Sequence, residues 1–414
     1  MRQKLQLITH PTIFLIFLLG FSSGLPLALT GATLQFWYNA VGVSLVGLGL
    51  LNLIGQPYTF KFLWAPLMDR FSWPVLGRRR GWLLCTQLLL IATLAYMAFL
   101  DPQIHAVKLG LVAIFAAFLS ASQDVAVDAY RTDTLTQMNL GVGNAFYTAG
   151  YRIAMLVSGG LALILAGYFG FKVTYLVMAG LMSIGVGATL LGREPPCFHP
   201  PTTLEAAITH PFKNFLQKPK VWLILLFILL YKLGDAFAFS VLGPFLSRAF
   251  ELSLKELGSI YKTVGLAATL IGVFAGGGCL SRLGLYRALM VFGVLQGVST
   301  LCFLLLLQTD KSYPLLVFAI ALENVTAGMA TIAFLSFLMN LCDHRYTATQ
   351  FALLSSLSAM GRVYIGPLGG YVAQHYGWGH YFVMGFLLSL PGLFLLWWLQ
   401  NKVEWPFATQ VPAS

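Results

Sequence analysis

The densest chemistry in this 414-residue chain lies between Ser120 and Asp133, where an uncharged run from Leu109 to Ser122 ends in Gln123, Asp124, Asp128, Arg131 and Asp133. Asp124 and Asp128 are four residues apart, so a helix places them on one face. Arg131 follows a turn later and can pair with Asp128. A carboxylate within a bilayer is costly unless it is paired, hydrated or protonated. The stretch is therefore either a salt-bridge staple at a membrane surface or a gate or proton relay. Four more charges, Arg152, Lys232, Asp235 and Arg362, fall deep in apolar segments. At 1.5 Å per residue they lie about 15 Å from the nearest helix ends, too far for snorkelling alone. Lys232 and Asp235 are three apart and can neutralise each other, or they can line a cavity. Glu323 can carry a proton or serve as a hydrogen bond between helices. Two deep arginines suit an anionic ligand, because a guanidinium grips a carboxylate with two parallel bonds.

These residues need helices to position them, and the composition supplies little else. The chain is 58% hydrophobic and 9% charged, with a mean hydropathy of +0.79, which excludes a soluble protein. A spanning helix needs about 20 apolar residues. Twelve such passages are expected, around 13–38, 46–66, 82–100, 107–128, 141–169, 171–192, 221–247, 256–278, 285–307, 313–341, 347–371 and 379–400. The loops between them leave no room for a soluble catalytic domain. The net charge of +11 is distributed as a membrane protein distributes it. With the N-terminus inside, fifteen lysines and arginines, among them Arg70, Arg78, Arg79 and Arg80, fall on the inner side and five on the outer, so both termini are expected in the cytoplasm. Lys262 is expected to snorkel, while Lys61 is placed ambiguously. The five cysteines have no metal or redox spacing and read as packing residues. The apolar run after Met1 is too long for a signal peptide and reads as a retained first helix.

The longest polar interval, 193–220, carries four prolines in its first nine residues and divides the chain into expected bundles at 1–192 and 221–402, with a tail at 403–414. Thr202, Thr203, Leu204 and Glu205 can open a short interfacial helix there. The halves repeat. Tyr151 and Arg152 align with Gly361 and Arg362, and Gly159 and Gly160 fall on Gly369 and Gly370 at the same offset. After a short deletion Tyr175 falls on Tyr381. Two parallel six-helix repeats with a site between them mark the major-facilitator architecture. The second passage ends at Ala65, Asp69 and Arg70, followed by Gly77, Arg78, Arg79 and Arg80. This resembles the major-facilitator loop signature, with Ala65 in place of the first glycine and five extra residues before Gly77. Gly277, Ser281, Arg282 and Gly284 repeat its spacing in the second half. In that family the loop steadies one conformation by pairing with the end of the fourth helix. Asp69 and Arg70 are thus expected to act as a latch with Asp128 as partner, aided by Arg131. Gly20, Gly24 and Pro26, and in the second half Pro367 and Gly369, either free backbone groups at a cavity or permit close packing. Trp37 and Tyr38 read as interface residues, with sugar stacking as the alternative.

Longer strings are similar to one family within this architecture, the AmpG muropeptide permeases. They include Phe21-Ser-Ser-Gly-Leu-Pro-Leu-Ala-Leu-Thr30, Phe60-Lys-Phe-Leu-Trp64, Gly77-Arg-Arg-Arg-Gly-Trp-Leu83, Leu230-Tyr-Lys-Leu-Gly-Asp-Ala-Phe-Ala238 and Gly361-Arg-Val-Tyr-Ile-Gly-Pro367. The resemblance runs nearly end to end. It implies an all-α, twelve-helix major-facilitator fold of two pseudo-symmetric halves in the bacterial inner membrane. The implied activity is import of GlcNAc–1,6-anhydro-MurNAc and its peptides for cell-wall recycling, linked to the proton gradient and indirectly to β-lactamase induction. Arg152, Arg362 and Lys232 would then meet substrate carboxylates, with Gln123, Tyr151 and Gly24 serving its hydroxyls and amides. Asp235, Asp124 and Glu323 are the proton carriers in order of preference, with no cofactor or metal and a single chain as the working unit. A same-fold carrier of acetyl-CoA or another anionic metabolite is the alternative. A membrane enzyme or sensor is weaker, because no nucleophile elbow, phosphate loop or metal-ligand spacing occurs.

Overall fold

A computed structural model describes residues 11–41, 51–196, 203–218, 220–240, 242, 245–246, 263–309 and 312–400. Nine helical stretches among these are long and apolar enough to cross a membrane. The difference from twelve has local causes. The stretch Leu140–Leu191 reverses at Gly170 (φ 77°), and the helix Thr347–Leu399 reverses at Gly377 (φ 81°). A side chain with a Cβ resists this backbone conformation, so each glycine makes a tight turn between two passages. The second passage is broken into a 3-10 turn Leu51–Gly55, helix Gln56–Phe60, a 3-10 turn Lys61–Leu63 and helix Ala65–Arg70. Pro57 and Pro66 each remove a ladder donor there. The expected passage 256–278 is described from Thr263 onward, and Lys262 and the tail at 403–414 lie outside the described residues.

In chain order the helices are α1 (Pro11–Thr30), α2 (Ala32–Ala40), α3 (Gln56–Phe60), α4 (Ala65–Arg70), α5 (Arg78–Met97), α6 (Pro102–Thr134) and α7 (Leu140–Leu156). There follow α8 (Ala162–Leu181), α9 (Ser183–Leu191), α10 (Leu204–Leu216), α11 (Val221–Tyr231), α12 (Leu233–Ser240), α13 (Gly265–Leu283), α14 (Leu285–Gln308), α15 (Tyr313–Leu341) and α16 (Thr347–Leu399). The linker helix expected after Thr203 is α10, capped by the Thr203 hydroxyl accepting from the Ala206 N–H at 3.1 Å.

The chain forms two units. The first holds residues 1–139, 146–213 and 342–356; the second holds 140–145, 214–341 and 357–414. The segment Cys342–Ser356, which opens α16, thus packs with the first unit.

Lipid is as apolar as leucine, so helices in a bilayer associate through close van der Waals fit rather than by escaping water. Glycines provide that fit in the first unit. A Cβ on Gly20 would stand 2.3 Å from the Tyr147 carbonyl oxygen, and one on Gly24 would stand 2.4 Å from that of Tyr151. The backbones of α1 and α7 therefore touch. Gly24 contributes spacing, carrying Ser23 and Tyr151 to one place.

The two units repeat each other in detail. Tyr175 donates its hydroxyl to the Leu29 carbonyl at 2.7 Å, and Tyr381 donates to the carbonyls of Phe237 and Ala238 at 2.5 and 2.8 Å. Both phenols are fully buried. Each would cost several kcal/mol without an acceptor. The positive-φ glycines repeat as well: Gly77 corresponds to Gly284 and Gly170 to Gly377, with the same residue separation in both pairs.

Irregular backbone marks the polar parts of the first unit. A π-turn, Val157–Leu161, follows α7, and its Ser158 carbonyl accepts from Thr33 Oγ1 at 2.7 Å. Such turns free backbone groups and concentrate at functional positions.

Candidate functional site

The stretch singled out in the sequence forms the end of α6, and every residue from Ser120 to Thr132 is buried. Asp128 accepts from Arg131 Nη2 at 2.6 Å and from Lys61 Nζ at 3.5 Å. The helical spacing predicted the first contact. The second arises because the 3-10 turn at Lys61–Leu63 turns Lys61 inward, which resolves its placement. The Arg131 guanidinium also lies over the Tyr147 ring, 3.6 Å from its centre.

Around Asp124 the structure gathers groups from four passages. Lys61, Asp128 and Arg131 act on its charge, Ser23 lies beside it, and the phenols of Tyr58, Tyr147 and Tyr151 lie within its field. Gln123 donates Nε2 to Ser22 Oγ at 3.0 Å. Asp124 Oδ1, Gln123 Oε1, Ser23 Oγ, Ser120 Oγ, Thr148 Oγ1 and the Tyr58 hydroxyl are buried and have no hydrogen-bond partner. Most buried polar atoms in folded proteins are satisfied. The unsatisfied atoms of Asp124, Ser23, Ser120 and Tyr58, which lie close enough to act on one another, are ready to receive hydroxyls, amides or water. Tyr58, Ser23, Ser120 and Tyr147 were not expected, since isolated Tyr and Ser residues in apolar segments carry no spacing signal. Arg152 follows Tyr151 and is exposed.

The expected partnership of Asp69 and Arg70 with Asp128 is not what forms. Asp128 is held by Lys61 and Arg131, and the Arg70 guanidinium lies over the Phe71 ring at 5.5 Å. Asp69, fully buried, instead meets the start of α16. It accepts from the Thr349 N–H at 2.8 Å, the Thr349 hydroxyl at 2.7 Å and the Ala348 N–H at 3.2 Å. The first N–H groups of a helix lack internal partners, and an anion there also meets the positive end of the helix dipole. Arg79 completes the clasp, donating Nη1 to Asp69 at 3.0 Å, Nε to Asp133 at 2.7 Å and Nη2 to the Thr347 hydroxyl at 2.9 Å. Thr347 in turn donates to Asp133 at 2.6 Å. Glu194, from the proline-rich stretch, accepts from the N–H groups of Arg79 and Arg80 at 2.7 and 2.9 Å and so caps α5.

His344, in the turn before α16, lies 3.4 Å from Asp133. The hydrogen bond to Asp133 raises its pKa above the ordinary histidine value, and partial burial opposes the rise. A raised folded-state pKa means that the docked segment is stabilised below about pH 6.5, and that this stabilisation is lost as pH rises through the elevated value. Hydrogen exchange over 343–349, corrected for intrinsic rates, is expected to accelerate as His344 deprotonates. The same profile in His344→Gln should lack the step; an identical step in both proteins would remove His344 from the clasp.

In the second unit Lys232 Nζ pairs with Asp235 Oδ2 at 3.1 Å, as the spacing predicted, and donates to Thr331 Oγ1 at 3.2 Å. Lys232 sits at the break between α11 and α12. Glu323, on α15, accepts from Ser299 Oγ at 2.5 Å, and Ser299 contacts Thr326 Oγ1 at 2.9 Å. Arg362 lies on α16, and its side chain falls outside the described residues. Among the described residues no group of acidic, histidine and cysteine side chains has the makings of a metal site.

Long apolar helices that enclose paired charges and unsatisfied polar groups define a multi-pass membrane transporter. The Major Facilitator Superfamily profile matches residues 12–366. The chain belongs to that superfamily and, within it, to the anhydromuropeptide permease family. It is 46% identical over 405 residues to the Anhydromuropeptide permease of Escherichia coli (strain K12), covering 97% of this chain and 82% of that one. It is 32% identical to the Putative transporter AmpG 4 of Rickettsia felis, covering 95% and 97%. Among solved structures, a bacterial homologue of the iron transporter ferroportin in an outward-facing state aligns with a TM-score of 0.71 at 15% identity, covering 94% of this chain and 99% of that one. The proton:xylose symporter XylE also aligns at 0.71, with 9% identity and 94% of each chain covered. These two likenesses concern the fold.

Proposed function

We propose that this protein imports anhydromuropeptides, GlcNAc–1,6-anhydro-MurNAc with or without its peptide, from periplasm to cytoplasm for peptidoglycan recycling. The observation that carries the reading is 46% identity across nearly the whole chain to a permease named for that substrate class. The chemistry of the first unit is compatible with it. A disaccharide offers hydroxyls and acetamides, and the unsatisfied atoms of Asp124, Gln123, Tyr58 and Ser23 are complementary to them. Tyr151 stands beside them. Arg152, Lys232 and Arg362 are assigned to the lactyl or peptide carboxylates.

The mechanism is alternating access, with the six-helix bundles at 1–192 and 221–402 rocking about the substrate and a proton moving inward with it. A coupling carboxylate must bind its proton on the outside and release it inside, so its affinity must differ between the two states. Asp235 is the first candidate and Asp124 the second, with Asp69, Arg79, Asp133 and Asp128 stabilising one state. The protein works as a monomer in the inner membrane, with both termini in the cytoplasm, a placement that the bias of the loop charges supports.

Uptake of labelled GlcNAc–anhydro-MurNAc into proteoliposomes, with and without an inward proton gradient, tests this directly. Wild type should accumulate substrate only with the gradient, and Asp235→Asn should lose at least about ten-fold of that accumulation. Wild-type vesicles that take up labelled acetyl-CoA and no muropeptide would overturn the substrate assignment.

A further inference from the structure

Among the described residues, Glu323 is the most deeply enclosed carboxylate of the second unit. It is 1% exposed, and nothing in the substrate chemistry above requires it. Ser299 occupies its Oε2, and its Oε1 is buried with no hydrogen-bond partner. Two further buried atoms in this unit share that condition, Asp235 Oδ1 and Gln296 Nε2. Both residues line one small cavity of about 10 Å³, together with Thr300, Ser389 and Tyr231. Four glycines, Gly234, Gly293, Gly297 and Gly385, keep it open. A side chain at Gly297 would intrude on it and displace the Ser389 hydroxyl, because a Cβ there would stand 2.6 Å from Ser389 Oγ.

A cavity of this size admits about one water molecule, and a buried water needs two to four polar partners. Asp235 Oδ1 offers an acceptor, Gln296 Nε2 a donor, and the Thr300 and Ser389 hydroxyls offer either. Thr300, whose hydroxyl donates to the Gln296 carbonyl at 3.3 Å, lies beside Glu323, and both Lys232 and Asp235 act on the charge of Glu323. The other ionisable groups facing the network are Tyr231, which senses Asp235, and Cys302, which senses Glu323.

We infer that one water held by Asp235, Gln296 and Thr300 joins Asp235 and Glu323 into a single proton-binding unit, with Gln296 as the positioning residue. Asp235 is the entrance, because its side chain is 16% exposed while Glu323 is sealed. The transfer balances atom by atom. A protonated Asp235 gives its proton to the water, the water passes one of its own to the Thr300 hydroxyl, and that hydroxyl passes its proton to Glu323 Oε1. The water and the threonine end as they began, Asp235 becomes a carboxylate and Glu323 a carboxylic acid. Lys232 then holds the ionised Asp235. The role of this unit in coupling rests on the proton-driven import proposed above, but its existence can be tested without substrate.

The test is an infrared pH titration of the protonated carboxyl stretch of the full-length protein in lipid. It compares wild type with Asp235→Asn, Glu323→Gln, Gln296→Leu and Gly297→Ala. Joint titration predicts that Glu323→Gln moves the midpoint assigned to Asp235 by about one pH unit or more, and the reverse for Asp235→Asn. Gln296→Leu and Gly297→Ala, which keep both carboxyls, should separate the two titrations. Midpoints that stay in place when the other carboxyl is removed, or that remain coupled after Gln296→Leu, would overturn the inference. Gradient-driven uptake by wild type would survive that outcome, so the two readings fail separately.

Discussion

Asp69→Ala is expected to abolish uptake and to release the start of α16 from the first unit. Asp69 holds three donors at the N-terminus of that helix and one nitrogen of a buried arginine. Truncation leaves Arg79, 1% exposed, with Asp133 as its remaining carboxylate. Removing one member of a buried, hydrogen-bonded ion pair costs about 3–5 kcal/mol, because its partner keeps the desolvation penalty and loses the compensation. The loss falls on the conformation in which Cys342–Ser356 is docked, so population shifts away from it. Amide exchange at Ala348 and Thr349 reads this directly, since both N–H groups donate to Asp69. Their protection should fall by two orders of magnitude or more, as about 1.4 kcal/mol corresponds to a factor of ten. Unchanged protection at both amides would show that the clasp does not hold the segment.

The second large effect is expected at Asp128. Lys61 and Arg131 are buried opposite Asp124 and Asp128, two positive groups against two negative. Asp128→Asn keeps the shape and an acceptor for Arg131, yet leaves one buried positive charge in excess. Folded yield and thermal stability should drop by an amount corresponding to about 3–5 kcal/mol. Adding Lys61→Met restores the balance, and the double variant should recover at least about 2 kcal/mol relative to Asp128→Asn alone, a coupling of the size seen within one ion-pair network. A double variant no more stable than the single one would mean that Lys61 is not neutralising Asp128.

The contacts legible in the sequence were those that helical periodicity makes local. Asp128 with Arg131 and Lys232 with Asp235 are both three residues apart and both pair. The repeat was legible through Tyr175 and Tyr381 because both tyrosines perform the same packing task in their own units. Asp69 was recognisable as a polar residue with a purpose, but its donors lie 279 and 280 residues away, where no periodicity reaches. Tyr58 and Gln296 were missed for a different reason. Each stands alone in an apolar segment, and the unsatisfied atoms that give it meaning appear only when neighbouring helices close around it. Glu194 was hidden in the proline-rich linker, where an acidic residue reads as solvated until its two backbone donors are seen.

The docking of Cys342–Ser356 against helices near the other end of the chain also orders events during synthesis. Asp69, Arg79 and Asp133 enter the membrane early, whereas Thr347, Ala348 and Thr349 leave the ribosome more than two hundred residues later. At bacterial rates of about 5–20 residues per second, that interval is on the order of ten to forty seconds. Throughout it the nascent first unit carries an open receptor for a helix start, in which Asp69 and Asp133 have Arg79 but lack the donors of the incoming helix. Ribosome pauses or quality-control proteases that act in this window would therefore meet an unfinished polar notch rather than a sealed bundle, and arrival of the eleventh passage is the event that closes it.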